Sequence, residues 1–139
     1  MVDIKPADTV LEPSAGRGAI LQYIVKQTNN YKAVEKDQEN SKYLISKGYK
    51  VSNTSFEQFH SRVERTRQYD KIVMNPPFSN KRDIIHTLLA YNLLKPNGTL
   101  VGLLVENSLY YKRPITDMFN GFIHRINAEV IEIPHGTFK

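Results

Sequence analysis

An unbroken alternation of short apolar runs and helix-patterned segments constrains this chain more than any other feature of its sequence. Thr9-Val10-Leu11-Glu12 is an apolar run closed by Pro13 and small residues, and Ile20, Leu21, Ile24 and Val25 then recur on one helical face. Lys32-Ala33-Val34-Glu35 predicts a second strand. Asp37 suits the cap of a helix that carries Tyr43 and Leu44 inward and stops at Gly48. Tyr49-Lys50-Val51-Ser52 predicts a third strand, and Ser55 with Gln58 matches a capping box. Asp70 to Met74 reads as a buried strand, and a helix with Ile84, Ile85, Leu88, Leu89 and Leu93 inward follows it. After a turn at Lys95-Pro96-Asn97-Gly98, Leu100 to Val105 reads as a fifth strand. Pro114 suits a helix first position, and Ile115, Met118, Phe119, Phe122 and Ile123 follow at helical spacing. Glu129 to Ile133 predicts a sixth strand. Such alternation predicts an α/β, doubly wound parallel sheet of about six strands with helices on both faces.

The 139 residues contain no linker, repeat or low-complexity stretch, so residues 1–139 are expected to form a single domain without a separate recognition module. No apolar stretch approaches the roughly 20 residues of a membrane span, and the first residues lack the apolar segment of a signal peptide. The absence of cysteine excludes disulfides and thiolate metal sites. A cytoplasmic protein with no membrane partner is the expectation. The net charge of +5 permits a nucleic-acid partner.

Three places can carry chemistry. After the Ile72 strand stands Asn75-Pro76-Pro77-Phe78. Two prolines stiffen this turn, because each fixes φ near −65° and supplies no N–H. The turn offers a side-chain carbonyl, a main-chain carbonyl and a flat ring, which together suit a planar group bearing an exocyclic NH₂. After the first strand stands Glu12-Pro13-Ser14-Ala15-Gly16-Arg17-Gly18. Gly16 and Gly18 allow close backbone approach, and Glu12 suits a ligand with a cationic amine and opposes a pyrophosphate. At the end of the second strand, Glu35 can accept both hydroxyls of a ribose.

Together these residues resemble the class I S-adenosylmethionine-dependent methyltransferases. Val10 through Gly18 looks like their cofactor loop, Ala33-Val34-Glu35-Lys36-Asp37 like their ribose-binding strand end, and Asp70 through Phe78 like the catalytic turn of the amino-methylating branch. Residues 91–98 are similar to a helix end common in that superfamily, and residues 133–139 resemble the last-strand segment of phage- and plasmid-type DNA adenine-N6 methylases. The resemblance implies a Rossmann-like fold and S-adenosyl-L-methionine as cofactor. It implies cofactor contacts from Glu12, Pro13, Ser14, Ala15, Gly16, Gly18, Glu35, Lys36, Ser55, Phe56 and Asn75. Asn75, Pro76, Pro77 and Phe78 would form the catalytic turn, with no metal. DNA, with a flipped adenine, is the implied partner ahead of RNA or protein. The same turn also serves ribosomal-RNA guanine-N2 and release-factor glutamine methylation.

Two departures qualify the resemblance. The family often has an acidic residue before a phenylalanine after the third strand, where this chain has Ser55-Phe56. No residues follow Lys139 to build the family's seventh, antiparallel strand, so either strand six pairs directly with strand five or a homodimer or partner chain fills that edge, and a cofactor-binding subunit inactive alone is the alternative to an enzyme. His60, His86, His124 and His135 show no ligand spacing and read as surface residues. The Arg62, Arg65 and Arg67 cluster reads as a solvated helix face, whereas Lys81-Arg82 and Lys112-Arg113 are better placed to touch a substrate backbone, and Tyr110 and Tyr111 suit a base pocket and the core equally.

Overall fold

The structure, a computed structural model, describes residues 2–104 and 114–133. They fall in two compact units, Met1–Val105 and Glu106–Lys139. The first unit runs β1 (Val10–Glu12), α1 (Ala19–Val25), β2 (Tyr31–Val34), α2 (Gln38–Ser46), β3 (Val51–Ser52), α3 (Phe56–Arg62), β4 (Tyr69–Met74), a 3₁₀ turn at Ser79–Lys81, α4 (Arg82–Leu93) and β5 (Leu94–Gly102). The second unit contains α5 (Pro114–Arg125), in which the rings of Phe119 and Phe122 stack at 6.2 Å.

All five strands are parallel, in the order β3-β2-β1-β4-β5. This is the doubly wound α/β sheet the sequence predicts, with one strand fewer among the described residues. The expected sixth strand is the correction: Glu129–Ile133 makes no strand, and these residues are exposed. The segments at 105–113 and 134–139, with Tyr110, Tyr111, Lys112, Arg113 and His135, lie outside the described residues.

Alternation along the strands divides the core between two faces. Leu11, Val34, Ile72 and Met74 meet Phe56 of α3 and Ala90 and Leu93 of α4. On the opposite face, Val10 and Val73 meet Ile24 of α1, while Ala33 meets Leu21 of α1 and Leu44 of α2. The register pairs Leu11 with Lys32 on one side and Ile72 on the other, so the carboxyl ends of β1, β2 and β4 emerge together.

Two local readings change. The Lys95-Pro96-Asn97-Gly98 turn is folded into β5 as a bulge: Tyr69 pairs with Leu94, but Lys71 pairs with Thr99, and Asn97 adopts a φ of 68°. His86 is not a surface residue; it is 3% exposed, packs edge-on against Phe56 at 5.3 Å and places Nε2 3.0 Å from Glu57 Oε1. Its place on α4 one residue from the exposed Ile85 shows that the buried stripe is rotated relative to the expected one.

Gly18 and Gly48 both have φ above 90°, but a Cβ at Gly18 would lie 2.9 Å from Leu44 Cδ2, whereas one at Gly48 would meet open space. Gly48→Ala is therefore expected to cost about 1 kcal/mol of backbone strain, and Gly18→Ala about 2–4 kcal/mol through strain plus overpacking, as measured by denaturant unfolding.

Candidate functional site

β1 is followed by a crossover to one side of the sheet, and its other neighbour is β4, so strand order reverses between β1 and β4. Ligands of doubly wound sheets bind at the carboxyl end of such a switch point. Glu12 is the last residue of β1 and Asn75 the first after β4, so the acidic loop and the Asn-Pro-Pro-Phe turn flank that opening.

The loop after β1 is held by main-chain bonds. Ala15 N donates to Val34 O at 2.9 Å and Gly18 N to Ala15 O at 2.9 Å, which curls the chain into α1. Gly16 adopts a φ of 57°, and a Cβ there would meet nothing within 4 Å. The loop thus presents bare backbone to an open space, the requirement for seating a ligand against it. Pro13 and Ala15 are buried, Ser14 is half-buried, and Ser14 N donates to Glu12 Oε1 at 2.8 Å.

Glu35 follows β2. Its Oε1 accepts from Gly16 N at 2.7 Å and its Oε2 from Asp37 N at 2.7 Å, while Asn53 Nδ2 donates to the carbonyls of Glu35 and Lys36 at 2.9 and 3.1 Å. Each carboxylate oxygen keeps lone-pair capacity for a ligand hydroxyl. Lys36 is exposed. Asp37 caps α2 through Asn40 N, as its position after a strand suggests.

Glu12 is 1% exposed, and burial, reinforced by the charge of Glu35 and opposed by the Ser14 N–H, pushes its carboxyl up to about 8. Enclosure in the protein therefore disfavours the charged form of Glu12, and the nearby charge of Glu35 adds to the effect. A ligand with an ammonium or sulfonium group matches this arrangement.

The remaining candidates divide. Ser55 Oγ accepts from Gln58 N at 3.1 Å as the cap of α3. Phe56 is 2% exposed and sits in the core beneath α3 and α4. At the Asn75–Phe78 turn Pro76 is buried, whereas Asn75, Pro77 and Phe78 face outward, Phe78 with 41% of its surface exposed. Asn80 and Lys81, with φ of 55° and 60°, reverse the chain into α4 directly after it. Arg82 Nη1 lies 3.5 Å from Glu57 Oε2. From sequence, Asn53 and Arg17 carry no assigned role and Tyr43 reads only as an inward helix residue; Arg17 stacks on the Tyr43 ring at 3.8 Å. No group of side chains suited to a metal ion occurs among the described residues. No helix among them is long and apolar enough to cross a membrane.

A five-stranded parallel sheet with a glycine loop after β1, an acid after β2 and an Asn-Pro-Pro-Phe turn after β4 defines a Rossmann-like methyltransferase. Residues 2–130 match the Methyltransferase small domain, and the chain belongs to that family. Over 93 residues it is 33% identical to the ribosomal RNA small subunit methyltransferase A of Malacoplasma penetrans (strain HF-2), covering 65% of this chain and 34% of that protein. The chain therefore spans about a third of that relative's length. Among solved structures, the methyltransferase subunit of a type I restriction-modification system from Streptococcus thermophilus superposes with a TM-score of 0.68 at 16% identity, over 88% of this chain and 34% of that one. A coclaurine N-methyltransferase bound to SAH superposes at 0.54 and 18% identity, over 70% and 30%. At these identities the likeness establishes the fold. S-adenosyl-L-methionine is the cofactor of this family and fold, and its cationic amino-acid end fits the acidic, glycine-lined loop.

The buried acid makes stability depend on pH. The Glu12 carboxyl titrates near 8 in the folded chain and in the ordinary range when unfolded, so its contribution is complete below about pH 4.5 and declines as pH rises to about 8. Burial lowers the His86 pKa, which acts in the opposite sense and only below about pH 6.5. Denaturant unfolding at rising pH is expected to show the loss between about pH 5 and about pH 8, and Glu12→Gln to flatten it.

Proposed function

We propose that the chain transfers a methyl group to an exocyclic amine of a nucleobase, with N6 of adenine in DNA as the substrate. The observation that carries this reading is the outward-facing Asn75-Pro76-Pro77-Phe78 turn beside the cofactor loop at the switch point.

Bound at that loop, S-adenosyl-L-methionine supplies an activated methyl on a sulfonium centre. Glu12 and the loop backbone hold its amino-acid end, and Glu35 its ribose. An aromatic exocyclic amine is a poor nucleophile because its lone pair is delocalised into the ring. The Asn75 side-chain carbonyl and the Pro76 main-chain carbonyl accept its two hydrogens and return lone-pair density to nitrogen, while the exposed Phe78 ring stacks on the base. With the cofactor bound, Asn75 and Pro76 would hold the amine in line with the donor methyl, which would pass from sulfur to nitrogen with one amine proton leaving to water. Positioning and electrostatics carry this reaction without a strong base. In duplex DNA the base reaches the turn by flipping. Lys81 and Arg82, three and four residues past Phe78, are the cations assigned in this reading to a nucleic-acid backbone.

One observation favours a second reading. The relative at 33% identity is a ribosomal RNA methyltransferase, which supports RNA as the alternative polymer. Incubation with methyl-labelled cofactor and either unmethylated DNA or ribosomal RNA, followed by nucleoside analysis, separates the two. Label in N6-methyl-2′-deoxyadenosine supports the DNA reading, and label confined to RNA nucleosides overturns it.

In the same assay Asn75→Ala is expected to lower kcat by about 100- to 1,000-fold with cofactor affinity little changed. Phe78→Ala is expected to weaken nucleic-acid binding by about 1–3 kcal/mol, read as a raised KM for the polymer.

A further inference from the structure

Within the glycine loop the Gly18 N–H reaches Ala15 O, and the rest of its support comes from neighbouring elements. Gly16 and Gly18 both occupy left-handed backbone, where glycine is conformationally permissive, and they flank a single side chain, Arg17. On the Gly16 side the loop is tied to the Glu35 carboxylate. On the other side, the Arg17 guanidinium lies 3.8 Å from the centroid of the half-buried Tyr43 ring on α2. The next residue of α2, Leu44, comes so close to Gly18 that a Cβ there would lie 2.9 Å from its Cδ2. Tyr43 and Leu44 thus receive Arg17 and Gly18, two successive residues of α2 against two successive residues of the loop. Among the described residues no carboxylate pairs with Arg17, so its charge is held by a ring face. Lys47, one turn further along α2, lies farther from the same ring at 5.5 Å.

We propose that Arg17 is a positioning residue for the cofactor and acts through Tyr43: the stacked pair fastens the glycine loop to α2 and presets the backbone against which the cofactor binds. The proposal rests on the assignment of S-adenosylmethionine to this loop. Without the stack, binding must order a two-glycine segment, and that cost lowers affinity.

Two readouts test it. In the cofactor-free protein, hydrogen exchange at the Arg17 and Gly18 amides reports the loop directly. Calorimetry with S-adenosylmethionine reports affinity. Arg17→Ala and Tyr43→Leu are each expected to speed exchange and to weaken binding by about two- to fivefold, the size of an exposed cation–π contact. The double variant is expected to be no worse than either single variant, and Tyr43→Phe, which keeps the ring, to behave as the parent protein. The unfolding midpoint of each variant controls for global destabilisation. Unchanged exchange in both single variants overturns the clamp. A full Arg17→Ala loss persisting in the Tyr43→Leu background also overturns it, by showing that arginine acts on the cofactor directly. Absence of cofactor binding in the parent protein overturns the loop's assignment instead, and exchange still decides whether the clamp exists.

Discussion

The carboxylate of Glu35 is the joint on which the rest of the site depends. One oxygen takes the Gly16 N–H of the loop after β1, and the other takes the Asp37 N–H where α2 begins. Its main-chain N–H reaches Ser52 of β3, and its carbonyl is held by Asn53. A single residue therefore joins the ends of three adjacent strands and the start of a helix. Charge-assisted bonds to backbone N–H groups are stronger than neutral ones, and 8% exposure keeps water from replacing them. The curvature of the glycine loop is set by its own Gly18 N–H to Ala15 O bond together with this acid and α2.

That arrangement has an electrostatic cost, carried by Glu12. A second acid converges on the same loop and is wholly enclosed, so it stays neutral where an ordinary carboxyl would ionise. Both acids border the open backbone at Gly16, Glu35 through the Gly16 N–H and Glu12 through the Ser14 N–H. The Asn75-Pro76-Pro77-Phe78 turn, with its exposed ring, leaves the neighbouring strand β4. In the proposed reading one side of the opening takes a cation and the other a planar amine, a division that follows from which strand each loop leaves.

Much of this was legible in the residues. The apolar runs at Val10, Ala33 and Ile72 marked buried parallel strands, Asp37 and Ser55 marked helix starts, and both caps form. The glycine loop and the Asn-Pro-Pro-Phe turn were visible because glycine and proline state their backbone needs locally. What stayed hidden was decided by contacts distant in sequence. His86 read as a surface residue because its partners, Phe56 and Glu57, lie about thirty residues earlier on another helix. Phe56 read as facing a ligand, whereas the packing of α3 and α4 places it in the core. The predicted strand at Glu129 had the right β-branched residues, but a strand also needs a neighbour to pair with, and composition does not supply one.

The bulge in β5 has a mechanical meaning. α4 ends at Leu93 and β5 begins at Leu94, so no connecting loop separates them. The Pro96-Asn97-Gly98 excursion is the slack in that junction: it takes up the mismatch between the helix end and the strand register before pairing resumes at Thr99. Chain length can change there without shifting the strand that follows. Elsewhere along α4 and β5 an added residue would displace either the Asn-Pro-Pro-Phe turn or the sheet register, so insertions compatible with this fold belong at the bulge.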